Sequence, residues 1–149
     1  MAIDRSAGTE IIRSIHLEAV NNTASTLIYG VQYHIYTVLS VICNATGLNA
    51  DGDYIRMLIT GYDSLGGDTA QTNFIFRQDM SENQTYVWND KFSFNGHEPT
   101  NFTGPMDDAT KQDAIADQGS SVAQLLKIQA QSSGDNFDVT CTFIDQNNA

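Results

Sequence analysis

The chain has 149 residues, 41% of them hydrophobic, with 7 Lys plus Arg against 18 Asp plus Glu and a formal charge of −11. That length holds one domain with a sizeable core, since a domain of this size buries roughly 70% of the surface its unfolded chain exposes. No basic run occurs, which argues against nucleic acid and against an anionic membrane surface as partners, because both are bound through clustered cations.

Residues 1–10 are polar, without strand alternation or an apolar leader core, and read as an N-terminal arm that orders on a partner. The domain then spans 11–149, in a protein made and assembled in a cytoplasm. A strand is expected over 11–20, closed by Asn21, Asn22 and Thr23. The next run, 31–43, has Val31, Tyr33, Ile35, Thr37, Leu39, Val41 and Cys43 at odd positions. Its even positions mix Gln32, His34 and Ser40 with Tyr36, Val38 and Ile42. Strict alternation puts the odd set in the core and leaves a half-apolar second face, so Tyr36, Val38 and Ile42 are candidate contact residues. The β-branched crowding of this run favours strand over helix. Gln32, His34 and Ser40 also interrupt it too often for a membrane span.

Shorter strands are expected over 54–60, 72–77, 85–88 and 92–94, separated by turns rich in Gly, Asn and Asp. Pro105, Asp107, Asp108 and Ala109 ahead of Gly119 mark one short surface helix near 106–118. Val122, Gln124, Leu126 and Ile128 alternate with Ala123, Leu125 and Lys127, and Phe137, Val139, Cys141 and Phe143 alternate with Asp138, Thr140 and Thr142. The linker Ser132, Ser133, Gly134, Asp135, Asn136 predicts that these two strands form a hairpin. Seven or eight short strands and one helix predict an all-β single β-sandwich, of jelly-roll or Ig-like kind.

Chemistry-bearing patterns are sparse. Cys43 and Cys141 fall on inward positions and read as two buried thiols rather than a disulfide bridging the sheets. His16, His34 and His97 have no metal-ligand spacing. Asn49, Asp51 and Asp53 offer oxygen donors at alternate positions, as a calcium loop does. Gly52 comes two residues early for such a loop, however, and Thr60 stands where the closing glutamate belongs, so the segment reads as a tight turn. The sequence Tyr62, Asp63, Ser64, Leu65, Gly66 lacks the first glycine of a nucleophile elbow. The acid pairs Asp107 with Asp108 and Asp79 with Glu82 read as surface acids of turns and a helix start. Asn21, Asn44, Asn83 and Asn101 begin glycosylation triplets that only reflect an Asn- and Thr-rich loop composition without a secretory route. Tyr86, Trp88, Phe92 and Phe94 read as core, with polar tips at the rim. No catalytic residue, metal or cofactor is expected, and the chain reads as a non-enzyme.

Two segments carry a resemblance: the run Tyr86, Val87, Trp88, Asn89, Asp90, Lys91, Phe92, Ser93, Phe94, Asn95, Gly96, and the ending from Asp117, Gln118 and Gly119 through Asp145, Gln146 and Asn147. Together they resemble small virion proteins of tailed bacteriophages, those of marine and cyanobacterial hosts in particular, among them capsid decoration (cement) proteins. The resemblance covers the C-terminal half. It implies a β-rich subunit that sits as a homotrimer on the capsid exterior and bridges capsomers. Its partners would be its own copies and the major capsid protein, with no enzymatic site. In that setting Ala2, Ile3 and Arg5 of the arm join Tyr36, Val38 and Ile42 as the candidate interface. The alternative is a receptor-binding or tail/neck module, which would be present in few copies and would carry an exposed aromatic or metal-bearing loop site.

Overall fold

The computed structural model describes residues 9–63, 68–98 and 122–147. They form β1 (Thr9–Val20), β2 (Ser25–Tyr29), β3 (His34–Gly47), β4 (Tyr54–Asp63), β5 (Asp68–Asp79), β6 (Thr85–Trp88), β7 (Phe92–Asn95), β8 (His97–Glu98), β9 (Val122–Ala123), β10 (Leu125–Ala130) and β11 (Asn136–Asn147). No helix occurs among the described residues. The helix expected near 106–118 lies outside them, as do Ala2, Ile3 and Arg5 of the arm. β1 starts at Thr9, inside the span read as arm.

One sheet has the order β1-β11-β3-β6, with β7 also on β3, and the other the order β2-β10-β4-β5. All of these pairs are antiparallel. The pairing is nested: β1 lies beside β11, β2 beside β10, β3 beside β6 and β7, and β4 beside β5. Such nesting is one long hairpin, its tip at β4 and β5, rolled into two facing sheets, which is jelly-roll connectivity. Inward residues of both sheets form a single apolar cluster, with Val38, Val41, Cys43, Phe137, Val139 and Cys141 facing Ile55, Met57, Leu126 and Ile128.

Two expectations are corrected by this arrangement. The first concerns β3, where the register against β11 shifts between Thr142 and Phe143: Ser40 pairs Thr142, but Val38 pairs Phe143, so Leu39 is an extra residue. This β-bulge reverses the phase of the strand. Tyr36 and Val38 are therefore inward on its first half, at 1% and 0% exposure, and Val41, Cys43 and Ala45 are inward on its second half. Tyr36 and Val38 belong to the core, and only Ile42 of the half-apolar set reaches the surface.

The second correction concerns the expected C-terminal hairpin. β10 pairs with β2 and β4, whereas β11 pairs with β1 and β3, so residues 131–135 cross from one sheet to the other. Leu126 and Ile128 meet the side chains of β11 across the core rather than beside them. A local turn signal cannot distinguish the two, because both outcomes bury the same alternate residues. Cys43 and Cys141 are buried and free, as expected, and sit on neighbouring strands of one sheet. One further strand, β2, was not expected, because a register shift against β10 buries the consecutive Leu27 and Ile28 and destroys the period of two.

Two glycines permit the crossing at one end of the sandwich. A Cβ on Gly30 would lie 2.0 Å from the Gly96 carbonyl oxygen, and one on Gly96 would lie 2.0 Å from that of Val31. Main-chain bonds from Gly30 N to Gln124 O (2.9 Å) and from Gln124 N to Gly96 O (2.8 Å) close this junction. The bulge in β3 makes a direct prediction. Val38→Asp buries an unpaired charge and should cost about 4 kcal/mol. Thr37→Asp, on the outward side, should cost about 1 kcal/mol or less. Urea denaturation of the two variants checks the phase, and the reverse ranking would show β3 to be regular.

Candidate functional site

The two outward faces of the sandwich differ in chemistry. On the five-stranded sheet Ile42 lies opposite Val87 on one side and Thr140 on the other, and Ile12 lies opposite Ile144, which faces Thr37. Ile12 is 72% exposed, Val87 52% and Ile42 41%. Ser14, Thr142 and Ser40 form the row between them. The outward positions of β1, β11, β3, β6 and β7 hold no Lys or Arg. β-Branched side chains dominate here because they fit a pleated surface, and the face presents aliphatic and hydroxyl groups with acids, Glu10 and Asp138, toward its ends.

On the four-stranded sheet the register brings Arg56 beside Arg77 and Gln129, and Leu58 beside Phe74 and Lys127. Arg56 lies over the Phe74 ring at 4.5 Å and Arg77 over the Tyr54 ring at 4.1 Å. Arg56 donates from Nε and Nη2 to Oε1 of Gln129, at 3.2 and 2.9 Å. Guanidinium faces on aromatic rings are favourable by cation–π attraction. This face is thus cationic and aromatic on a strongly acidic chain.

At one end of the five-stranded sheet, β1, β3 and β11 converge on a buried acid. Asp145 is 4% exposed. Arg13 donates from Nη1 to its Oδ2 at 2.8 Å, and Nδ1 of His34 lies 2.6 Å from its Oδ1. Tyr36 stacks beside His34, and its hydroxyl accepts from Val31 N at 3.1 Å. Burial, then the nearby Asp145 charge, raises the Tyr36 pKa. Sequence reading missed this group, since its members are 111 and 132 positions apart and no local spacing marks them. The adjoining cleft, lined by Thr9, Ile11, His34, Asp145 and Asn147, measures about 70 Å³. It is far smaller than a small-molecule pocket, and the contacts of Asp145 with Arg13 and His34 tie β1, β11 and β3 together at this end.

The aromatic residues of segment 86–96 form a core edge. Contacts run from Tyr36 to Phe94 (5.4 Å), Phe94 to Phe92 (5.8 Å), Phe92 to Trp88 (5.8 Å) and Trp88 to Phe76 (5.9 Å). The last step joins the edge of one sheet, β6, to the edge of the other, β5, and shuts that side of the sandwich. Among the described residues, no group of three or more His, Cys, Asp or Glu converges to hold a metal, and His16 instead contacts Thr140 at 2.8 Å. Of the acid pairs, Asp79 meets Arg77 at 3.5 Å and Glu82 accepts from Leu48 N at 3.3 Å. Asp107 and Asp108, and Ser64 to Gly66 of the elbow-like segment, lie outside the described residues.

No protein-family model matches the chain. No curated protein matches it either. Among solved structures, a pilus subunit of Bacillus endospore appendages is 10% identical, covers 100% of this chain and 97% of its own, and superposes with a TM-score of 0.42. An infectious bursal disease virus protein from T=1 particles is 9% identical with a TM-score of 0.48 over 99% of this chain. The CBM22-1–GH10 modules of a Clostridium thermocellum xylanase are 12% identical with a TM-score of 0.43 over 93% of this chain. This chain spans 34% of the virus protein and 26% of the xylanase. At such identities and scores none of these proteins lends this chain a function.

Burial pushes both thiols, Cys43 and Cys141, up to about 12. The folded protein should therefore resist alkylation at about pH 8, where little thiolate forms. Both thiols should react at once in denaturant without reductant, giving two adducts by intact mass. Failure to label in denaturant would reveal a disulfide.

Proposed function

We propose that the chain is a virion structural subunit of the capsid decoration kind, binding the outside of the head as a homotrimer, bridging capsomers and catalysing no reaction. The observation that carries this reading is the outward face of the five-stranded sheet, where Ile12, Ile42 and Val87 stand exposed among Thr and Ser with no Lys or Arg. A face with exposed aliphatic groups and no Lys or Arg is suited to burial against another protein. The resemblance of residues 86–96 and of the C-terminal segment to small phage virion proteins supports it from the sequence side. Acidic charge favours the exterior of a head over the interior, where the subunit would meet packed DNA.

The second reading is a receptor-binding module, favoured by the exposed Phe74 (52%) under Arg56, which lies beside Arg77 on the four-stranded sheet. The two readings place the working surface on opposite faces. Ile42→Lys with Val87→Lys should leave the domain folded by circular dichroism and abolish co-sedimentation with undecorated phage heads. Light scattering of the parent should give a trimer mass. A parent that stays monomeric and ignores heads, yet binds host cells in a manner lost with Phe74→Ala, would overturn the decoration reading for the receptor-binding one.

A further inference from the structure

Two acids meet in the core at the end of the sandwich where β3 crosses to β4 and β10 crosses to β11. Asp53 is 5% exposed and Asp135 1%. The two carboxyl groups lie close enough to interact electrostatically. Asp135 is also held by the backbone, its Oδ1 accepting from Asn49 N and its Oδ2 from Ser132 N, each at 2.8 Å. Oδ2 of Asp53 is buried and has no hydrogen-bond partner. Among the described residues no Lys or Arg pairs with either acid. A carboxylate oxygen left buried and unpaired is costly, and two buried carboxylates in contact repel unless a positive charge is shared between them.

We propose that Asp53 and Asp135 form a binding site for a hard divalent cation of the calcium type. Two carboxylates balance its charge, and the cation gives the orphaned Asp53 oxygen a partner, which a proton shared between the acids does not. Neither His nor Cys takes part, which disfavours zinc, and calcium accepts irregular sets of carboxylate, amide, carbonyl and water oxygens more readily than magnesium does. Oδ1 of Asn49 is at the same junction, so close that a Cβ on Gly134 would lie 2.9 Å from it. The turn is held in shape by Asp53 N to Ala50 O (3.2 Å), Met80 N to Asp53 O (3.1 Å) and Gly52 N to Met80 O (3.0 Å). Asn49 and Asp53 belong to one turn, and Asp135 joins them from a remote crossover. A cation here would tie together two crossovers between the sheets.

The test uses the full chain stripped with EDTA and titrated with calcium chloride, followed by thermal denaturation and calorimetry. Calcium should bind at one site and raise the melting temperature by several degrees, with magnesium at least tenfold weaker. Asp53→Asn should weaken calcium binding at least tenfold while the protein stays folded, and it remains informative if Asp135→Asn fails to fold through loss of its backbone bonds. Calcium that neither binds nor stabilises would overturn the proposal. So would a protein indifferent to calcium whose stability grows on acidification, since a carboxyl with a raised pKa loses its contribution as pH rises; the shared charge would then be a proton. Neither result bears on the outward face of the five-stranded sheet, so the virion reading stands or falls separately.

Discussion

The architecture depends on the extra residue in β3. Leu39 shifts the strand by one position, so Tyr36 and Val38 on one half and Val41, Cys43 and Ala45 on the other all point inward. The same break divides the outer edge of β3 between two partners, with β7 pairing residues 35–38 and β6 pairing residues 41–44. A bulge adds local twist as well as reversing phase. The strand can then follow the curve of a rolled sheet while keeping one side apolar along its whole length. Without it, half of β3 would turn its large side chains to solvent.

The core next to the bulge is aromatic and polar at once. Tyr36 touches His34, Phe94 and Phe143, and His34 leads to Asp145 and Arg13. Ring stacking thus runs from a strand-end clamp to the Trp88–Phe76 contact that shuts the far edge. Buried polar groups of this kind are tolerable only when partnered, and those of the Asp145 cluster are. Among the described residues, Oδ2 of Asp53 departs from that rule.

The outward faces divide the surface functions. Ile12, Ile42 and Val87 stand exposed on a face without Lys or Arg, suited to a protein partner. Arg56, Arg77, Phe74 and Tyr54 form a face on which an acidic protein gathers cations over aromatic rings. A single sandwich carries both because alternate residues of every strand are free to vary once their neighbours are committed to the core.

Period-two alternation in the sequence determined the all-β class, the inward set of β11 and the positions of β3, β4, β6 and β7 to within a few residues. Composition determined that the surface is acidic. These are local properties, set by which side chains fit a pleated, half-buried strand. Only the tertiary structure decided which strands lie side by side. The linker after β10 could close a hairpin or cross to the facing sheet, and both bury Leu126, Ile128, Val139 and Cys141 equally well. It also decided the exposure of Tyr36, Val38 and Ile42, because a bulge is one extra residue relative to a partner strand and has no meaning in a strand read alone. The meetings of Asp53 with Asp135 and of Arg13 and His34 with Asp145 belong to the same class. Each joins residues distant in the chain, brought together by the nesting of the first strands with the last.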